Sequence, residues 1–298
     1  AIVKSAGNMR DRRSHAFLEL TPNQGETLKW RNEPHTAPGR VRLDCWFPSH
    51  PNFTFHLRSP SGDTLGPVDP DHRDVKKNLF DGSKARLVYT RLHPDNGLSR
   101  LVVDVQKGTA GQINPGDWVL DLVAHNVVTN VPFDCWVDAV ERTAVEFRNH
   151  ADEKRTLSVP GTARSVITVG AIRAATPVHV GDFSGYGPTR DDRKKPEIAA
   201  PGVGIFAARS LTEDQLRPES GTSMAAPHVT GALALCLSAC RRRGLPLPNA
   251  GQLAHALMNS AQAFTGTYNP GRGFGDLDVA KLLASFVAPS SPSTPPLA

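Results

Sequence analysis

Between His15 and Val137 apolar and polar positions alternate. His15-Ala16-Phe17-Leu18-Glu19-Leu20, Thr27-Leu28-Lys29-Trp30, Val41-Arg42-Leu43-Asp44-Cys45-Trp46 and Phe53-Thr54-Phe55-His56-Leu57 have the two-residue period of a half-buried strand. Arg86–Tyr89, Ser99–Val105, Trp118–Leu122 and Phe133–Val137 continue it. Turn-forming strings separate these segments, among them Ser59-Pro60-Ser61-Gly62-Asp63, Pro94-Asp95-Asn96-Gly97 and Asn114-Pro115-Gly116-Asp117. Eight or so short strands of this kind predict a β-sandwich of jelly-roll type. Outside that region the pattern changes. Ile2-Val3-Lys4-Ser5 is a short apolar strand running into Ala6-Gly7-Asn8, and Met224 to Cys240 is an apolar stretch with helical character. That stretch, carrying Pro227, His228 and Thr230, reads as too short for a membrane span and as a buried core helix. Residues 287–298 are rich in Pro and Ser without apolar periodicity, a disordered tail or linker.

Composition adds bounds. The 298 residues suffice for about two domains, and 39% hydrophobic with 21% charged is ordinary for a globular protein. The net charge of +5 raises the question of nucleic acid. The cations are dispersed, however, and the triplets Arg193-Lys194-Lys195 and Arg241-Arg242-Arg243 read as a polar loop and a helix C-terminus. No nucleic-acid signature is present, so neither nucleic acid nor membrane is expected as a partner.

Candidate chemistry centres on Gly221-Thr222-Ser223-Met224-Ala225-Ala226-Pro227-His228. A serine flanked by small residues where a loop enters a helix places its hydroxyl at the positive end of the helix dipole. An N-cap role is the ordinary use of such a serine. The octapeptide resembles the nucleophile motif of subtilisin-like serine proteases, the subtilases, which makes Ser223 the expected nucleophile and His228 structural. Ala6-Gly7-Asn8 resembles the strand end that carries the oxyanion-hole asparagine, where a neutral amide donor meets the developing oxyanion. Ala163–Ala171, Phe183-Ser184-Gly185-Tyr186-Gly187-Pro188, Lys195–Gly202 and Gly273–Ala280 resemble further family segments in the same order. The resemblance implies an α/β fold with a parallel-sheet catalytic domain made of residues 1–8 and 155–286, interrupted by an all-β insert at 9–154. It also implies a serine endopeptidase acting on protein or peptide, with Ser5, Ala6, Gly7, Gly221 and Thr222 lining the substrate site. A secreted or cell-envelope location would suit the family.

The family triad runs Asp, His, Ser along the chain. Its D-[ST]-G and H-G-T strings are absent from these residues; Asp95-Asn96-Gly97 lies in a polar turn, and no His precedes Gly. The expectation is a C-terminal portion of a longer protease, whose missing N-terminal half carries the base and its acid. Alone, such a portion is expected to be inactive. The competing reading is a pseudoprotease or binding module acting through the insert.

The insert resembles the jelly roll of the clostridial spore-germination subtilases through Pro115-Gly116-Asp117-Trp118 and an Asp-Cys-Trp strand. Bracing is the first role expected of it. Asp-Cys-Trp occurs twice, at 44–46 and 134–136, so that Cys45 and Cys135 either face each other and bond or stay buried thiols. Cys236 and Cys240 read as small core hydrophobes. No zinc-type spacing or Asp-rich calcium loop occurs, and no metal or cofactor is called for.

Overall fold

The alternating segments become strands in a computed structural model that describes residues 1–22, 24–33, 39–137, 145–262 and 267–287. The Pro/Ser tail past Val287 lies outside the described residues. The chain divides into two compact units, residues 12–153 and residues 1–11 with 154–298.

Strand β1 (Ile2–Ser5) opens the second of these units. The first holds β2 (His15–Leu20), β3 (Gly25–Asn32), β4 (Arg40–Phe47), β5 (Asn52–Arg58), β6 (Thr64–Val68) and β7 (Asp74–Asn78). It continues with β8 (Lys84–Thr90), β9 (Ser99–Gln106), β10 (Gly116–His125), β11 (Val131–Val137) and β12 (Val145–Phe147). They form two sheets, β12-β3-β10-β5-β6 and β2-β11-β4-β9-β8-β7. Set β7, β8 and β12 aside, and the remaining eight strands, counted in chain order, pair 1-8-3-6 and 2-7-4-5. That is the jelly-roll order.

One core fills the sandwich. Trp30, Trp118, Phe47, Phe53, Phe55 and Phe133 are fully buried, with Phe47 and Phe53 rings 4.4 Å apart. Outward positions carry cross-strand ion pairs such as Arg40–Asp104 and Arg58–Asp121, each 2.7 Å. These exposed pairs add little individually and favour register more than stability. His15, the first residue of β2, is fully buried, with Nε2 3.1 Å from Asp134 Oδ1.

In the other unit the nearly continuous apolar run Val166–Arg173 forms β13, a strand buried on both faces. It pairs in parallel with β1 (Ile2↔Val166 to Ser5↔Val169) and with the later strand Ile198–Pro201. A two-residue strand, β14 (His179–Val180), pairs antiparallel with the end of β13; Ile198–Pro201 is β15. An exposed hairpin, β16 (Ile205–Ala208) and β17 (Leu216–Glu219), leads into helix α1 (Thr222–Arg242). Helices α2 (Ala250–Ser260), held by an Asn249–Gln252 capping box, and α3 (Val279–Val287) follow.

Helix α1 departs from the expectation in two ways. Its 21 residues exceed the stretch judged too short, and its length and composition would allow a bilayer crossing. Its burial is also one-sided: Val229, Ala232, Leu233 and Cys236 enter the core with β13 and β15, whereas Leu235 is 54% exposed. The sheet offers this helix a single apolar face, and the described residues cover only that side.

Lys195 is a second departure. Instead of lying in a solvated loop it is buried, donating to Val166 O at 2.6 Å and Glu197 Oε1 at 2.7 Å, while Glu197 Oε2 accepts from Thr168 N at 2.7 Å. The pair ties β13 to the segment before β15. Tyr268 donates to Lys195 O at 2.7 Å, and burial pushes its pKa up to about 12.

Candidate active site

The end of β1 is fixed from both sides before the chain reaches Asn8. Ala6 N donates to Val169 O at 2.9 Å, and Ala6 O accepts from Ser158 N at 2.8 Å. Gly7 then turns with φ +101°, a conformation that side chains rarely adopt, and a Cβ there would stand 2.8 Å from Ser158 Cβ. Its carbonyl accepts from Gly185 N at 2.8 Å. Glycine at position 7 is what allows the chain to leave the strand and present Asn8.

The second half of the site arrives from the helix. Gly221 N donates to Gly202 O at 2.8 Å, tying the approach to α1 to the end of β15. A Cβ on Gly221 would lie 3.2 Å from Asn8 Nδ2, so a side chain there would press on the amide. Thr222 begins the helix and is buried.

A closed set of hydrogen bonds joins the halves. Gly7 N donates to Thr222 Oγ1 at 3.0 Å; that hydroxyl donates to Asn8 Oδ1 at 2.9 Å, and Thr222 N donates to the same oxygen at 3.0 Å. Asn8 thereby acts as the helix cap in place of Gly221, which has no side chain to offer. With two donors on Oδ1 the amide orientation is settled; Nδ2 faces the Gly221 side, and among the described residues its hydrogens have no acceptor. Ser223, the second helical residue, is exposed; among the described residues neither its N–H nor its hydroxyl has a hydrogen-bond partner. An unspent amide beside a free helix N-terminal N–H is a place where negative oxygen is stabilised.

The sequence-predicted residues Ser5, Ala6, Gly7, Asn8, Gly221, Thr222 and Ser223 thus lie on two segments that this hydrogen-bond ring joins. Sequence reasoning missed the part played by the Thr222 hydroxyl. Replacing it with Val would strand Gly7 N and take one donor from Asn8 Oδ1. The Thr222→Val variant is therefore expected to unfold more easily by about 1–3 kcal/mol in urea titration, with Thr222→Ser restoring most of the loss.

No histidine of this unit bonds Ser223. His228 Nδ1 donates to Met224 O at 2.9 Å within α1, His255 contacts Asn259 on α2, and His179 lies on β14. Pro227 removes the N–H that would otherwise bond the Ser223 carbonyl, and the His228 ring stabilises the neighbouring turn. Near this region a cleft of about 900 Å³ is lined by Arg10, Arg173, His179, Phe183, Tyr186 and Ser220, among others. Arg10 is held over the Tyr186 ring at 4.2 Å and by Asp182 O at 2.7 Å. Among the described residues no His, Cys, Asp and Glu cluster could hold a metal ion.

Residues 144–276 match the subtilase family, Peptidase S8. Pyrolysin of Pyrococcus furiosus is 34% identical over 113 residues, 29% of this chain and 8% of that protein. The cuticle-degrading serine protease of Orbilia oligospora is 29% identical over 144 residues, 44% of this chain and 32% of that one. The serine protease AprX of Bacillus subtilis is 37% identical over 106 residues, 30% and 24% of the two chains. The chain therefore spans a third or less of these relatives. The solved CspB protease of Clostridium perfringens shares the fold with a TM-score of 0.81 at 23% identity, covering 97% of this chain and 59% of that one. Residues 144–276 thus match the subtilase family, and over nearly its whole length, β-rich insertion included, the chain shares the fold of the CspB protease.

Proposed function

We propose that this chain contributes the nucleophile and the oxyanion-binding face of a serine endopeptidase acting on protein or peptide substrates. Ser223 Oγ attacks the carbonyl carbon of a peptide bond. The oxygen of that carbonyl takes the negative charge and accepts from Asn8 Nδ2 and Ser223 N–H. Collapse expels the amine and leaves an acyl ester on Ser223, which water then hydrolyses. Ser5, Ala6 and Gly7, with Gly221 and Thr222, form the wall against which the substrate backbone lies. The observation that carries this reading is the Gly7–Thr222–Asn8 hydrogen-bond ring, which holds one amide donor ready beside a helix N-terminus.

The proton of Ser223 needs an acceptor, and we place that base and its orienting acid outside residues 1–298. Two features support this. Among the described residues β1 pairs on one side alone, with β13, and α1 leaves one side uncovered with Leu235 54% exposed on it, as surfaces awaiting further strands and helices would. Residues 1–298 alone then turn over peptides negligibly.

A fluorophosphonate probe read by intact mass tests both parts. Slow labelling of residues 1–298, accelerated by joining them to the segment that carries the D-[ST]-G and H-G-T strings, is expected. Rapid labelling of Ser223 without that segment would place a base inside the chain. No labelling in either state would remove Ser223 as nucleophile.

A further inference from the structure

The repeated tripeptide of the insert pairs with itself. On β4 and β11, Cys45 lies opposite Cys135, Trp46 opposite Asp134 and Asp44 opposite Trp136, which gives a local two-fold relation about the cysteines. The pleat turns both thiols into the core, where each is fully buried, and their sulfurs are 3.0 Å apart, closer than two unbonded sulfurs rest comfortably.

The opposite face of the same strands fixes this arrangement. Arg100 donates twice to Asp44, at 2.7 Å each, and its guanidinium lies 5.1 Å from the Trp46 ring centre. On the other arm His15 Nε2 is 3.1 Å from Asp134 Oδ1, and its ring stacks on Trp136 at 4.7 Å. A slip of one residue would break both clusters and turn the thiols outward. The register therefore holds the sulfurs together.

We propose that Cys45 and Cys135 are a modification site, a disulfide that forms as the sandwich folds and staples β4 to β11. The co-reactant is an external disulfide of the glutathione type. One cysteine thiolate attacks it, forming a mixed disulfide and releasing one glutathione thiolate. The second cysteine then displaces the other glutathione, so two protons and two electrons leave the protein and two glutathione thiols result. The bond closes a loop between residues 90 positions apart, the long-range kind that most restricts an unfolded chain in the entropic account.

Timing follows from burial. Both sulfurs are sealed from an external disulfide in the folded sandwich, and desolvation, with Cys45 beside it, raises the Cys135 pKa well above that of an exposed thiol. Exchange takes place before the sandwich closes, and the folded state seals whichever form it traps. Such a bond persists in an oxidising compartment. Cys236 and Cys240, one turn apart on α1 and facing its core, stay reduced and serve as an internal control.

The test is refolding of the full chain in a mixture of oxidised and reduced glutathione, followed by thiol titration in denaturant and peptide mapping without reductant. Two of the four cysteines are expected to be titratable, with one cross-linked peptide pair joining Cys45 to Cys135. The oxidised protein should unfold at higher urea than the reduced one, and Cys135→Ala should erase that difference. Oxidised glutathione added to the folded, reduced protein should react far more slowly. Four titratable thiols after refolding, or a bridge to Cys236 or Cys240, would overturn the assignment. The thiol count and the map decide even if Cys135→Ala fails to fold.

Discussion

Turnover of a peptide ester is expected to fall by about 10⁶ in Ser223→Ala, measured with the chain joined to the segment proposed to supply the base. The structure makes this loss separable from misfolding. Ser223 is exposed at the second position of α1, and among the described residues its hydroxyl bonds to nothing. Alanine is the better helix former there, so the unfolding midpoint should move by no more than about 0.5 kcal/mol. The hydrogen bonds of Thr222 to Asn8 involve no Ser223 atom and remain. A variant that loses turnover and keeps its stability identifies a nucleophile. One that keeps turnover within tenfold of the parent places the chemistry elsewhere.

Much of the all-β unit was legible from alternation, because each strand with a buried face writes a two-residue period into the sequence. β4, β5, β9 and β11 are such strands. The strands that left no such signal are edges. β7 reads Asp-Val-Lys-Lys-Asn and buries none of its residues, so there is no apolar period to detect, and its charges protect the sheet edge from other chains. β6 carries Pro67, which argues against a strand on sequence grounds yet is tolerated at the edge it occupies. Helix α1 was legible as a helix but not as one-sided, since an apolar sequence does not say which face its neighbours will cover.

The candidate site divides in the same way. Its two halves were visible because motif spacing records them, one string ending a strand and one opening a helix. What motif spacing cannot record is how they are tied. The Thr222 hydroxyl meets Asn8 across 214 positions, and nothing local distinguishes it from a buried threonine with no such duty. The burial of Lys195 was hidden for a related reason: its partners Val166 O and Thr168 Oγ1 lie on β13, 29 and 27 positions away. The adjacent Lys-Pro-Glu spacing was the one available signal, since Glu197 two residues on is the other half of the pair.

Asn8 combines two duties that substitution can separate. Asn8→Asp keeps an oxygen acceptor for Thr222 N and Oγ1 but has no amide to donate. Asn8→Ala loses both. Turnover is expected to drop by about 10²–10³ in either variant, the usual cost of one oxyanion donor. The carboxylate should be the slower of the two, because it adds negative charge where the oxyanion forms. Stability should divide them in the opposite sense. Asn8→Ala leaves Thr222 N–H and its hydroxyl without an acceptor at the start of α1, and should lower unfolding free energy by about 1–3 kcal/mol. Asn8→Asp should hold close to the parent, its charge favoured by the positive end of the helix. Steady-state kinetics and urea titration on the same preparations read both quantities. Equal stability loss in the two variants would mean that Asn8 does not cap α1 through Oδ1. Unchanged turnover in Asn8→Asp would mean that its amide donates nothing to the reaction.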